Sequence, residues 1–185
     1  MNISFKRIFV TVGTTEFENL IKQIDNEAFI NILLQLNCKE LIIQIGRGVY
    51  IPINLPQSCA NHSILYECYR FKSNLDENMK AADLIITHCG AGSIIEALTL
   101  EKIFIVIIND TLQGNHQTEL AYALSNQNYC QYTSPSKLVN VLLTYTNSNN
   151  SSDSSSRKVF NKYPKPNYNL FPNHVESFFD FSQLD

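Results

Sequence analysis

No run of 18 apolar residues occurs in this 185-residue sequence, so no membrane-spanning helix is expected. The start, "MNISFKRIFVTVGTT", has too short an apolar part for a secretory signal and leads directly into a β-rich run. The five cysteines (Cys38, Cys59, Cys68, Cys89, Cys130) are odd in number and include no C-x-x-C pair. That argues against a zinc or dithiol site and for reduced thiols in a cytosolic setting. Basic residues are not clustered. The 14 Lys and Arg stand against 17 Asp and Glu, a formal net charge of -3, and the densest basic spots are the pairs Lys6-Arg7 and Arg157-Lys158. A nucleic-acid surface is not expected from such a distribution.

Several catalytic signatures are also missing. There is no G-x-x-x-x-G-K-[ST] loop, no G-x-G-x-x-G after the first strand-like run, and Ser93 does not sit in G-x-S-x-G. No two aspartates are one residue apart. That spacing would hold a cation on a diphosphate, so no metal is expected, and no other cofactor.

What is present reads as a globular α/β chain, with 44% hydrophobic and 17% charged residues. Short β-rich runs alternate with helix-like segments. "RIFVTV" (7–12) precedes "EFENLIKQI", whose Phe17, Leu20, Ile21 and Ile24 recur at helical spacing. "EAFINILLQLN" continues helically and "ELIIQIG" (40–46) is the next strand. Residues 47–61, with Pro52 and Pro56, read as a loop, and 63–69 as a strand. A short helix is expected over 74–82 with Asn74 as cap. "DLIITHC", "AGSIIEALTL", "IFIVIIN", "NHQTELAYALSNQN" and "YCQYT" then alternate strand and helix. "SPSKLVNVLLTY" closes the series as a helix with Ser134 as cap and Pro135 at its first position. Near-continuous apolar strands alternating with helices predict a Rossmann-like parallel sheet with helices on both faces. The domain spans 1–145. A Ser/Asn-rich flexible linker occupies 146–158, and 159–185 is a C-terminal docking segment that folds back on the domain or meets a partner.

Ligands of such sheets bind at the carboxyl ends of the strands. "VGTTEF" places Gly13, Thr14 and Thr15 where a helix start would suit an anion; a capped turn would look the same. "HCGAGSIIE" repeats the pattern: Gly90 and Gly92 allow close backbone approach, and Ser93 and Glu96 share a helix face. Glu96 is read either as a ribose-diol acceptor or as an acid complementing the helix dipole. "NDTLQGNHQTELA" puts Asn115, His116 and Gln117 at a third helix start, with donors and acceptors suited to sugar hydroxyls. Three such starts on one sheet edge favour a phosphate-and-sugar ligand.

Taken together, "FVTVGTTEFENLI", "IIQIGRG", "ADLIITHCGAGSIIEAL" and "NDTLQGNHQTELA", in that order over residues 5 to 133, resemble the donor-binding subunit of the two-component N-acetylglucosaminyltransferase of dolichol-linked oligosaccharide synthesis. The chain is also similar to the C-terminal domain of the bacterial GlcNAc transferase that makes the peptidoglycan lipid precursor. The resemblance implies a single GT-B half-domain that binds UDP-GlcNAc. It implies inverting transfer of GlcNAc to GlcNAc-diphosphate-dolichol, with a membrane-anchored acceptor-binding subunit as partner at the cytosolic face of the endoplasmic reticulum. The base would belong mainly to that partner, leaving this chain inactive alone; His88 is a possible catalytic residue here. By the same resemblance Gly13 and Thr14 lie near the diphosphate, and Gly90, Ala91, Gly92 and Ser93 cradle it. Glu96 holds the ribose; Asn115, His116 and Gln117 contact the GlcNAc hydroxyls. Cys89, Asp110 and Gln113 depart from the family's more usual Ala, Glu and Met. The alternative is a nucleotide-sugar-binding or regulatory module without catalysis.

Overall fold

The structure is a computed structural model and describes residues 4–72, 75–109, 116–147 and 159–164, with the side chains of 116, 117 and 147 not described. Six strands form one parallel sheet: β1 (Arg7–Thr11), β2 (Glu40–Gln44), β3 (Leu65–Tyr69), β4 (Leu84–His88), β5 (Ile103–Ile107) and β6 (Gln131–Thr133). Their order across the sheet is β3-β2-β1-β4-β5-β6. The direction of succession reverses between β1 and β4, which makes that junction the place where an open α/β sheet leaves a crevice.

Strand alternation explains the two cores. Ile8, Val10, Leu41, Ile43, Leu84, Ile86, Ile105 and Ile107 face one side. There they meet α1 (Glu18–Ile24), α2 (Glu27–Gln35), α3 (Leu55–Asn61) and α7 (Leu138–Asn147). Phe9, Ile42, Ile85, Phe104 and Val106 face the other, under α4 (Asp76–Ala81), α5 (Ala91–Thr99) and α6 (His116–Asn126). Successive residues of a strand point to opposite faces, so a sheet covered on both sides needs apolar residues at every position. α2 has a side-chain cap: Asn26 Oδ1 accepts from the Phe29 amide at 3.0 Å.

Three local expectations need correcting. Residues 47–61 are not all loop, since Leu55–Asn61 is α3. Pro56 does not prevent it, because Pro in the first turn lacks only an N–H that has no intrahelical partner. The Asn54 and Leu55 amides are met by Asp25, some thirty residues earlier, at 2.9 and 2.8 Å. α4 starts at Asp76 with Leu75 at the cap position; Asn74 lies outside the described residues. Ser134 does precede a helical segment, but it makes no side-chain cap bond, and the first turn, Pro135–Lys137, is 3₁₀ before α7 begins.

α7 runs on through Asn147, and the Thr146 hydroxyl donates to the Leu143 carbonyl at 2.9 Å, so the helix extends two residues past Tyr145. Linker residues 148–158 and tail residues 165–185 lie outside the described residues. Residues 159–164 lie against the domain before the start of β6. Asn161 N–H donates to the Asn128 carbonyl at 2.8 Å, Lys162 pairs with Glu101 at 2.6 Å, and the Tyr163 ring meets Tyr129 edge-on at 5.2 Å.

Candidate functional site

The strand order sets β1, β4 and β5 side by side, so the three turns singled out in the sequence leave the sheet at adjacent points on its carboxyl edge. The β1 exit is held by a buried polar pair. Thr11 Oγ1 donates to Gln44 Oε1 at 2.5 Å and accepts from the Gly13 amide at 2.9 Å. Gly13 has φ +61°, a left-handed turn that glycine adopts without strain. The Thr15 hydroxyl and amide both donate to the Val12 carbonyl, at 2.9 and 3.3 Å.

Gly13, Thr14 and Thr15 are therefore not at a helix start. α1 begins only at Glu18, with Phe17 at its cap position and the Glu18 carboxylate in its first turn. A carboxylate in that turn puts negative charge at the positive helix end and disfavours an anion there. The amides of Gly13 and Thr15 are already used within the turn, which leaves the Thr14 N–H.

The β4 exit is different. α5 begins at Ala91, with Gly90 as its cap residue, no side-chain cap bond and no acid in its first turn. The first helical bond runs from Ile94 N–H to the Gly90 carbonyl at 3.1 Å. The N–H groups of Ala91, Gly92 and Ser93 have no intrahelical acceptor and lie at the positive end of the helix dipole. Gly92 is exposed, and a Cβ added to it would meet nothing within 4 Å. The protein itself does not require glycine there; a ligand lying against the backbone would.

Glu96 sits in the second turn of α5, so it is not a first-turn acid. The dipole reading of this residue is overturned, because that effect falls off within the first turn. Its Oε1 is buried with no hydrogen-bond partner. Burial, and then Asp76 through its charge and a side-chain hydrogen bond, raise the Glu96 pKa; Lys80 opposes them. An orphaned buried carboxylate oxygen is costly, and such groups mark places where a partner is missing. Ser93, three residues earlier, is half-buried on the same helix face.

His88 ends β4 between these two exits. A Cβ on Gly13 would lie 2.6 Å from its Cε1, and one on Gly90 would lie 2.2 Å from its Nε2. Both turns thus close on the same edge of the imidazole. Nδ1 is buried without a partner. Burial lowers the His88 pKa, against a smaller opposing effect of the Thr11 backbone.

The third turn is described in part. α6 starts at His116 and Gln117 is its second residue, following β5 on the same edge. Asn115, Asp110 and Gln113 lie outside the described residues, as do the side chains of His116 and Gln117.

Sequence reasoning missed the devices that shape the β2 side of this edge. Gly46 has φ +58°, and a Cβ there would lie 2.2 Å from the Thr15 carbonyl oxygen. Arg70 Nη1 donates to the carbonyls of Gly46 and Gly48. Glu18 accepts from the amides of Val49 and Tyr50 at 2.9 and 3.3 Å. A loop was expected from residue 47 on, but nothing local marked Arg70 or Glu18 as its supports. Among the described residues no helix is long and apolar enough to cross a membrane.

Residues 7–167 match the model of the glycosyltransferase family 28 C-terminal domain. The UDP-N-acetylglucosamine transferase subunit ALG13 of Mus musculus is 39% identical over 127 residues, covering 69% of this chain and 10% of that protein. The subunit of the same name from Candida albicans is 33% identical over 190 residues, covering 83% of this chain and 64% of that protein. The chain thus spans about a tenth of the mouse relative's length and under two thirds of the Candida one. Among solved structures, an NMR structure of ALG13 matches with TM-score 0.60 and 22% identity, covering 97% of this chain and 98% of that one. A crystal structure of Acinetobacter baumannii MurG matches with TM-score 0.55 and 19% identity, over 75% of this chain and 40% of that one. At these identities the two structures establish the fold.

Proposed function

The chain belongs to the glycosyltransferase family 28 C-terminal domain family, and on that premise we propose that it is the donor-binding subunit of an inverting N-acetylglucosaminyltransferase. Its donor is UDP-GlcNAc and its acceptor GlcNAc-diphosphate-dolichol, and the product is the chitobiosyl lipid used for N-linked glycans. The observation that carries this reading is one uncapped helix end followed, one turn later, by a buried carboxylate oxygen with no partner. The N–H groups of Ala91, Gly92 and Ser93 meet the diphosphate, and Glu96 accepts from the ribose diol.

Gly13 and Thr14 frame the diphosphate from the β1 side. Asn115, His116 and Gln117 contact the sugar. As UDP departs, its charge is met by backbone N–H groups already in position, so this reading needs no metal or other cofactor. A base must still take the acceptor's proton. His88 is packed between the two turns, so the base is assigned to a membrane-anchored acceptor-binding partner that holds this chain at the cytosolic face of the endoplasmic reticulum. The relatives' designation as a transferase subunit supports a partner of this kind.

The test is transfer of GlcNAc to a dolichol-type acceptor, measured for the chain alone and with its co-expressed membrane partner. The expected result is turnover by the complex and little or none by the chain alone. Robust turnover by the chain alone would remove the partner's base. Donor binding without transfer in any complex would leave a nucleotide-sugar-binding module.

A further inference from the structure

Between the two turns that frame the proposed diphosphate site, one side chain fills the space. His88 ends β4, and its backbone is held on both sides. The Gly90 amide donates to its carbonyl at 2.8 Å, and the Thr87 hydroxyl donates to the same oxygen at 3.1 Å. The ring reaches from this anchored position to both turns. Its Cε1 lies 2.6 Å from where a Cβ would stand on either Gly13 or Gly90.

The two glycines differ in what they require. Gly13 has positive φ and needs glycine for its backbone alone. Gly90 has φ -98° and ψ 125°, an ordinary extended conformation open to any residue. Among the described residues, the atoms nearest a side chain at position 90 all belong to the His88 ring, the first at 2.2 Å. Gly90 is therefore glycine because of the imidazole. The imidazole in turn is half-buried, with Nδ1 buried and unpartnered. A side chain kept there with an unpaired nitrogen carries a cost that packing with an apolar residue would avoid.

We propose that His88 is a positioning residue whose imidazole acts as the spacer between the β1 turn and the β4–α5 turn, setting the gap in which the donor's diphosphate is held. Its effect reaches the ligand through Gly13 on one side and through Gly90, the cap residue of α5, on the other. The direction of the Ala91, Gly92 and Ser93 N–H groups follows from where Gly90 rests on the ring. Small errors in such placement are expensive, since preformed donors bind well only where the ligand's atoms meet them. This inference rests on the donor-binding reading and adds to it the residue that sets the site's width.

The test uses the full 185-residue chain with UDP as the probe, reading affinity by calorimetry and melting temperature alongside. His88→Ala is expected to weaken UDP binding roughly tenfold, as loss of preorganisation does. Gly90→Ala is expected to weaken it comparably, by pushing the ring. The decisive variant is the double substitution. With the ring gone, the three atoms nearest the added methyl are removed, so the double variant should bind UDP no worse than His88→Ala alone. A purely structural role would lower melting temperatures and leave the affinity of the folded protein unchanged. Wild-type affinity in His88→Ala, or additive losses in the double variant, would overturn the spacer. Absence of UDP binding by the unmodified chain would instead overturn the donor reading itself, and the spacer with it.

Discussion

Two sides of one sheet edge treat their carboxylates in opposite ways. On the β2 side, Asp25 is 4% exposed and fully engaged. Its oxygens accept from the Tyr50 hydroxyl at 2.6 Å and from the amides of Ile53, Asn54 and Leu55 at 2.8 to 2.9 Å. Burial alone would raise its pKa, but these hydrogen bonds outweigh it and leave the pKa below its ordinary value. On the β4 side, Glu96 has a buried oxygen with no partner and a raised pKa. The same chemical group is thus structural in one corner and unfinished in the other. Asp25 finds its donors inside the chain, whereas one oxygen of Glu96 finds none there, as the proposed ribose contact requires.

The largest effect expected from breaking this contrast is on the β2 side. Asp25→Ala strands a hydroxyl and three amides and should cost about 3 kcal/mol of stability, from the penalty for buried unsatisfied donors. Urea denaturation measures it; a loss under about 1 kcal/mol would mean that the loop re-forms around water. The pH dependence has a definite sign. Because the folded state holds this carboxylate ionised, its stabilisation is full above about pH 4 and is lost as pH falls through the depressed folded pKa. In Asp25→Asn that part of the acid slope should disappear, as a denaturation series between neutral and strongly acidic pH would show.

Glu96→Ala tests the other side. Affinity for UDP should fall by about 1–3 kcal/mol through loss of the ribose contacts. Stability should hold or rise slightly, because an unpaired buried acceptor is removed. Unchanged affinity by calorimetry would take Glu96 out of the site, and a large loss of stability would make it a second Asp25.

Gly92→Ala sharpens the comparison further. The position is helical and unobstructed, so alanine should stabilise by up to about 1 kcal/mol, while UDP binding weakens if a diphosphate lies against that backbone. Tighter or unchanged binding would place the diphosphate elsewhere. The smallest effect is expected at Gln117→Ala, which should spare UDP and reduce the preference for UDP-GlcNAc over UDP; equal losses for both ligands would argue for a structural role.

Much of this was legible in the residues. Apolar runs such as "RIFVT" and "IFIVI" carry β-rich residues at every position, and that pattern means a sheet covered on both faces whatever the neighbours are. The turn at Gly90 was readable because small residues between strand and helix have few other uses. Other features depend on groups far apart in the chain. α3 exists despite its proline because Asp25 supplies its N-terminal acceptor. The β1 turn is not a helix start because its amides close on Thr11 and Val12.

By itself, then, the sequence determined the parallel α/β sheet and singled out three strand-end turns on one of its edges, since hydrophobic period and turn chemistry are local properties. Only the tertiary structure decided which polar groups are already satisfied. It left one buried oxygen of Glu96 without a partner beyond the helix's first turn, engaged Asp25 completely, and wedged His88 between two glycines. Burial and hydrogen-bond completion are set by elements that meet only when the sheet is assembled, and no local pattern encodes them.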